Sequence, residues 1–173
     1  MTDQTSRQGF STRAIHAGQE PDPRTGAVVP AIYQTSTYKQ DGVGGFREGY
    51  EYSRSANPTR TALEECIADL EGGARGFAFA SGLAGEDAIM RGLLGPGDHM
   101  VVPTDAYGGT YRLVAKVQQR WGVDHSLAKV SQPDAIRGEI RPGVTKMIWL
   151  ETPTNPLLGI ADIAAIAEIA HEA

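Results

Sequence analysis

Arg75-Gly-Phe-Ala-Phe-Ala-Ser-Gly-Leu-Ala-Gly-Glu-Asp-Ala-Ile-Met-Arg-Gly-Leu-Leu94 decides how the rest of the chain is read. Phe77-Ala-Phe-Ala80 sets two aromatics two residues apart in a short apolar run, the pattern of a buried strand. Ser81-Gly82 interrupts it, and Leu83, Ile89, Met90, Leu93 and Leu94 then recur at helical spacing. A strand passing into a helix through Ser-Gly has a chemical consequence. Glycine admits a ligand close to the backbone, and the first amides of the helix point outward without partners. Such a turn can receive an anion, a phosphate above all, although an ordinary strand–helix turn reads the same.

Toward the C-terminus the alternation continues. Gly95-Pro-Gly-Asp98 is a turn, and His99-Met-Val-Val-Pro103 a second short strand. A helix begins near Tyr111, with Val114 and Val117/Gln118 on one face, and ends at Gly122. Val123–Val130 predicts a strand, Pro133–Ile140 a short helix, and Val144–Glu151 another strand. Asp162 caps a last helix with Ile163, Ile166, Ala167 and Ala170 on one face. Toward the N-terminus, Asn57-Pro58 opens a helix whose stripe is Leu63, Cys66, Ile67 and Leu70 and whose stop is Gly72-Gly73. Strands alternating with helices make an α/β fold with a mostly parallel sheet.

Residues 1–56 show no periodic element, only prolines and glycines between short apolar pieces. Phe10, Tyr33, Tyr38, Phe46, Tyr50 and Tyr52 are too many aromatics for a solvated tail. The segment is expected to be an arm laid over a neighbouring subunit, with residues 57–173 forming the α/β body.

A net charge of −5, with no basic stripe to offset it, argues against nucleic acid as a partner. Met1-Thr-Asp-Gln-Thr-Ser-Arg-Gln8 lacks the apolar core of a leader, and no apolar run approaches membrane-spanning length. The single cysteine, Cys66, cannot form an internal disulfide and sits on the apolar helix face, where packing is its expected role. His16, His99, His125 and His171 share no ligand spacing, so no metal is expected. A cytoplasmic protein is the default reading.

In parallel α/β sheets ligands bind beyond the carboxyl ends of the strands. That rule selects Ser81-Gly82-Leu83, the loop Thr104–Thr110, and the loop Thr152–Pro156. The first offers backbone donors. Asp105-Ala-Tyr-Gly-Gly-Thr110 offers the ring of Tyr107 beside two glycines, and Glu151-Thr-Pro-Thr-Asn-Pro156 a carboxylate and the Asn155 amide. In Glu51-Tyr-Ser-Arg54, Tyr52 and Arg54 face the same way if the arm is extended, and a phenol and a guanidinium can grip one phosphate. An anion cradle, a stacking ring and a polar edge reader describe the site of a flat, phosphorylated aromatic cofactor.

Glu51-Tyr-Ser-Arg-Ser-Ala-Asn-Pro-Thr-Arg60, Ala80-Ser-Gly-Leu83, Asp105–Thr110 and Glu151–Pro156 occur in this order and rough spacing in one enzyme family. The chain resembles the Cys/Met-metabolism family of pyridoxal-phosphate (PLP) enzymes, and within it the bacterial synthase branch. The resemblance implies the aspartate-aminotransferase-like fold (fold type I), with residues 57–173 as the first part of the PLP-binding large domain. It implies PLP as cofactor, amino-acid substrates (an acylhomoserine and cysteine), and a homotetramer built from dimers that share active sites.

By the same resemblance, Ser81, Gly82 and Leu83 bind the cofactor phosphate, and Tyr107 stacks on the pyridine ring. Asn155 bonds the 3-hydroxyl oxygen, and Tyr52 and Arg54 reach the phosphate in the adjacent subunit. Glu51 and Arg112 meet the substrate's amino or carboxylate groups, and Tyr107 also takes part in catalysis. Ala56 and Gly85 stand where many members have Gly and Ala. None of Lys39, Lys116, Lys129 and Lys146 has the Ser-x-Thr-Lys setting of the family's cofactor-bearing lysine. That lysine is expected beyond residue 173, which makes this chain inert by itself. Lyases and sulfhydrylases of the family are rival readings, as is a non-catalytic piece that docks with a complementary chain. A dinucleotide-binding module fits less well, because Ser81-Gly82 lacks the Gly-x-Gly-x-x-Gly spacing.

Overall fold

Helix propensity and capping place most of the elements where the sequence predicts them. The computed structural model describes residues 8–173; the leader reading above rests on Met1–Arg7, which lie outside the described residues. The chain divides between Ala78 and Phe79 into two units.

In the first unit, α1 (Phe10–His16) is a helix that the sequence reading does not anticipate. Seven residues are too few to show a periodicity. A tertiary contact anchors it: the Arg13 guanidinium donates to the carbonyls of Asp69 (2.9 Å) and Leu70 (3.2 Å) and pairs with the Asp69 carboxylate. Those carbonyls belong to the last turn of α2 (Pro58–Glu71), where helix geometry leaves acceptors free. At the other end of α2, Asn57 accepts from the Thr59 amide at 2.9 Å, with Pro58 at the first helical position. Gly72 closes the helix in the left-handed region at φ 66°.

The arm is tied to α2 along its length. Thr59 Oγ1 accepts from the Tyr33 amide and donates to the Ala31 carbonyl, both at 2.9 Å. The Asn57 side-chain amide donates to the Tyr33 carbonyl at 3.0 Å. Gly18, at φ +69°, lies against α2 so closely that an added Cβ would stand 2.7 Å from the Ala62 carbonyl oxygen. Along α2 the stripe Leu63, Cys66, Ile67 is only partly covered: Leu63 and Ile67 remain exposed. Cys66 is half-buried rather than a core residue.

In the second unit, three parallel strands run in the order β2-β1-β3: β1 (His99–Pro103), β2 (Asp124–Ala128) and β3 (Thr145–Ile148). β1 is buried from end to end, as a central strand covered on both faces must be. Its alternation sorts the core into two layers. Met100 and Val102 pack with Met90, Leu113, Val114 and Val123 on one face. Val101 packs with Ala128, Val130, Ile136, Ala161 and Ile166 on the other.

The first layer comes from α3 (Gly82–Leu93) and from a helical run that opens as α4 (Gly108–Arg112). The second comes from α5 (Pro133–Glu139) and α6 (Ile163–Glu172). After α4 the run loosens into a π turn over Leu113–Val117 and tightens into a 3₁₀ turn over Gln118–Trp121. It ends at Gly122, as expected, with φ 86°.

One predicted element is absent. Phe77–Ala80 is not a strand, because nothing among the described residues forms a ladder with it. Phe77 and Phe79 are both exposed. Its sequence has the composition of a buried strand, but a strand exists only where a neighbour takes up its amides and carbonyls.

Candidate functional site

β1 and β3 are adjacent and parallel, so the loops that follow them leave the sheet on the same edge. Those loops carry Tyr107 and Asn155, and they are bonded to each other. The Tyr107 amide donates to Glu151 Oε2 at 2.7 Å. The Thr154 hydroxyl donates to Asp105 Oδ2 at 2.6 Å, and Thr154 is almost fully buried. The sequence predicts three loops after strands on one edge; hydrogen bonds join the two that follow β1 and β3, whereas Ser81-Gly82-Leu83 follows no strand. Within the second loop the Thr152–Pro153 and Asn155–Pro156 peptides are cis.

Tyr107 stands at the start of α4, its carbonyl accepting from the Tyr111 amide at 3.0 Å. The residue is 46% exposed and open to solvent. The ring is folded back over Gly109: a Cβ added there would lie 2.9 Å from Tyr107 Cδ1 and closer still to Cε1. The double glycine thus has a more local role than the sequence suggested. Gly109 makes room for the chain's own ring. Gly108 does the same for Arg112, whose Nη1 would stand 3.2 Å from a Cβ at Gly108. Arg112 is exposed, on the first turns of the same helix.

Ser81 caps α3 by accepting from the Ala84 amide at 3.1 Å. The amides of Gly82 and Leu83 precede the first intrahelical donor, so helix geometry leaves them free. Both residues are exposed, and nothing lies within 4 Å of where a Gly82 Cβ would be. α3 and α4 pack against each other, and the Gln118 side-chain amide donates to Asp87 Oδ1 at 3.1 Å. Asn155 is exposed on its loop.

In the first unit, the Arg54 guanidinium lies over the Tyr52 ring, 4.9 Å from its centroid. The segment is not extended, contrary to the expectation from the two-residue spacing: residues 53–55 form a turn, closed by the Ser55 and Ala56 amides donating to the Tyr52 carbonyl. The turn stacks Arg54 on Tyr52, and both are exposed together with Glu51. Tyr52 forms an antiparallel bridge with Thr37, and the Tyr38 amide donates to the Glu51 carbonyl at 3.1 Å, which fixes the backbone beneath the pair.

Two functions of this region escape the sequence reading. Glu151, read as a carboxylate offered to a ligand, is used internally: it accepts from Tyr107 and, through Oε1, from the Trp149 indole at 3.3 Å. Asp105 and Thr154 form a second link across 49 positions of sequence. Only the parallel pairing of β1 with β3 brings them together, and no local pattern encodes it.

The opposite edge of the sheet holds a different polar cluster. His99 is fully buried at the start of β1, with Nδ1 2.8 Å from Thr145 Oγ1 and Nε2 3.1 Å from Ser126 Oγ. Burial, seconded by the Arg141 cation, pushes its pKa below the ordinary 6.5. Arg141 in turn pairs with Asp124, whose carboxyl is held below the usual carboxylate range chiefly by that hydrogen bond. This cluster stitches the three strands at the edge away from the loops.

Comparison with known proteins gives the geometry its relatives. The chain is 56% identical to a cystathionine γ-synthase of Mycobacterium bovis over 96% of its own length and 44% of the relative's. It is 54% identical to a cystathionine β-lyase of Coxiella burnetii, covering 94% of this chain and 42% of that one. The crystal structure of metB from Corynebacterium glutamicum superposes with a TM-score of 0.94 at 46% identity, over 98% of this chain and 44% of that chain. The sequence therefore spans under half the length of each of these relatives, and its α/β architecture is that of the fold-type-I enzymes. Since residues 11–173 match the family described as "Cys/Met metabolism PLP-dependent enzyme", the chain belongs to that family.

Proposed function

We propose that this chain supplies the phosphate, ring-face and 3-hydroxyl contacts of a PLP-dependent cystathionine γ-synthase. Such an enzyme joins an acylhomoserine to cysteine by γ-replacement and yields cystathionine for methionine biosynthesis and transsulfuration. The observation that carries the reading is the bonded pair of loops on one sheet edge, which presents an open tyrosine ring beside the loop of an exposed asparagine. The choice of synthase over other members rests on the 56% identity to a protein of that name.

The residues present fit PLP. α3 begins with two free amides and an open space at Gly82, where a phosphate needs backbone rather than side chain. Gly82 and Leu83 would bind that phosphate, with Ser81 holding the turn in shape. Tyr107 would cover one face of the pyridine ring, and Asn155 would donate to the 3-hydroxyl oxygen. Tyr52 and Arg54, already stacked, would complete the phosphate site of a neighbouring subunit in a homotetramer. The exposed apolar residues of the arm, among them Val28, Val29 and Ile32, support such a packing. Glu51 and Arg112 would orient the amino and carboxylate groups of substrate.

Bound PLP supplies an electron sink for charge developing at the substrate's α-carbon. This chain's part would be to cover that ring with Tyr107, whose phenol would also hold or pass a proton there. The cofactor-bearing lysine would come from sequence equivalent to the rest of the relatives' length, so residues 1–173 alone would be inert. A cytoplasmic enzyme is proposed, and among the described residues no helix is long and apolar enough to cross a membrane.

The test is turnover by a protein that joins this sequence to the segment equivalent to the remaining length of its relatives. Cystathionine formation from O-succinyl- or O-acetylhomoserine plus cysteine is expected, with cystathionine cleavage much slower. Efficient cleavage with no γ-replacement would overturn the synthase reading in favour of a lyase, the alternative that the 54% identity to a β-lyase supports.

A further inference from the structure

Two carboxylates tie the loops after β1 and β3, and each sits on one loop while gripping the other. Asp105 belongs to the Tyr107 loop and holds Thr154, the neighbour of Asn155. Glu151 belongs to the Asn155 loop and holds the amide of Tyr107 itself. We propose that Glu151 and Asp105 are positioning residues of the cofactor site, which set the separation and tilt of the Tyr107 ring relative to the Asn155 amide. The inference rests on the PLP reading above and assigns how that site keeps its shape.

The geometry around each carboxylate leaves little freedom. With its N–H bound to Glu151 and its C=O bound to the Tyr111 amide, Tyr107 has both backbone groups fixed, so its Cα–Cβ direction is fixed as well. Gly109 then sets how far the ring can fold back. On the other loop, Thr154 Oγ1 donates to Asp105 and accepts from the Gly159 amide at 2.7 Å, while the Thr154 amide donates to the Gly159 carbonyl at 3.0 Å. A Cβ at Gly159 would stand 2.9 Å from Asp105 Oδ2 and 3.0 Å from Thr154 Oγ1, so the clamp is closed to anything larger than glycine. Asn155 is thereby held one residue from a buried anchor.

Two donors converge on Glu151: the Tyr107 amide and the Trp149 indole. A carboxylate accepts at both oxygens, whereas a glutamine has one acceptor and must turn its NH₂ toward one of the donors. This makes a discriminating set of variants. Glu151→Ala removes both bonds, and Glu151→Gln sets a donor against a donor. Adding Trp149→Phe to Glu151→Gln removes the second donor, which frees the amide oxygen for Tyr107.

The experiment uses the joined full-length protein and two readouts: hydrogen exchange at the Tyr107 amide without cofactor, and reconstitution with PLP followed by visible absorbance and circular dichroism. Glu151→Ala is expected to abolish the exchange protection and to weaken PLP binding by about tenfold, the cost of one lost charge-assisted bond. Glu151→Gln, which keeps one acceptor for two donors, should fall between wild type and Glu151→Ala, and Glu151→Gln/Trp149→Phe should recover both readouts. Asp105→Asn, which keeps an acceptor for Thr154, should bind PLP better than Asp105→Ala. If Tyr107 loses protection while PLP affinity and dichroism stay at wild-type values, the ties are merely structural and the proposal fails. If Glu151→Ala leaves the exchange unchanged, the proposal fails at its first step. Absence of PLP binding by the wild-type protein would instead sink the cofactor reading, and the exchange data tell the two failures apart.

Discussion

Replacing Gly109 by alanine separates two effects that usually travel together. Gly109 lies in the first turn of α4 with no positive φ, so alanine suits the backbone and gains up to ~1 kcal/mol in helix propensity. The added methyl, however, would meet the Tyr107 ring at 2.9 Å from Cδ1 and 3.1 Å from Cζ, where ordinary contacts begin at 3.4 Å. Cε1 would stand closer still, so the ring has to retreat by roughly an ångström, and it can, because it is half-exposed and hinged at its own χ angles. The expected protein is as stable as wild type or slightly more so, but its stacking surface is displaced. Loss of an aromatic contact worth about 0.5–1.5 kcal/mol raises the PLP dissociation constant by about 2- to 12-fold. Thermal unfolding of the apo protein reads the first quantity, and titration of the apo protein with PLP reads the second. Adding Tyr107→Ala to Gly109→Ala should then cost little more than Tyr107→Ala alone. A variant that loses 2 kcal/mol of stability yet binds PLP normally would refute both the ring position and its role.

Two further expectations concern stability. Gly18→Ala forces a left-handed backbone and drives a methyl against the Ala62 carbonyl and Glu65 Cβ, so a loss of about 2–4 kcal/mol is expected in urea unfolding; a change within experimental error would show that the arm does not sit on α2 as described. His99 is buried and its pKa is lowered, so the unfolded chain binds a proton that the folded chain resists, and stability rises with pH. The contribution is complete above the unfolded value near 6.5 and falls away as pH drops from there toward the lowered folded value. His99→Gln should flatten the melting temperature between about pH 5 and 7 without altering PLP affinity, since His99 occupies the sheet edge away from the loops; an unchanged pH slope would assign the dependence to other groups.

What the sequence made legible follows from the range of the interactions involved. α2 and α6 were readable with their caps because Asn57 and Asp162 each bond an amide two or three residues on, which is information contained in a few neighbouring letters. α3 was readable from its apolar spacing, and its Ser81 cap emerges only in the structure. The strands His99–Pro103, Asp124–Ala128 and Thr145–Ile148 were readable from short apolar or β-prone runs between turn residues. Phe77–Ala80 satisfies the same criteria and still forms no ladder, because pairing depends on a partner that composition does not specify. α1 fails in the opposite sense: seven unremarkable residues are helical because Arg13 finds carbonyls 56 and 57 positions away.

The site divides along the same line. The residues that offer themselves outward, namely the Tyr107 ring, Asn155, the Gly82 and Leu83 amides and the Tyr52/Arg54 pair, were visible, because an aromatic, an amide, a glycine or a guanidinium is conspicuous in an exposed loop. The residues that hold them, Glu151, Asp105, Thr154 and Gly109, were not, because each acts on a neighbour that only the fold selects. Their chemistry was in plain view and their partners were not. Glu151 shows the cost of reading a carboxylate without its surroundings: its charge was assigned to a ligand, yet both of its oxygens are already taken by Tyr107 and Trp149. Each oxygen keeps a further lone pair, but a ligand that drew the carboxylate across would release the Tyr107 amide, so the proposed task of Glu151 is to hold its neighbour loop rather than to meet substrate.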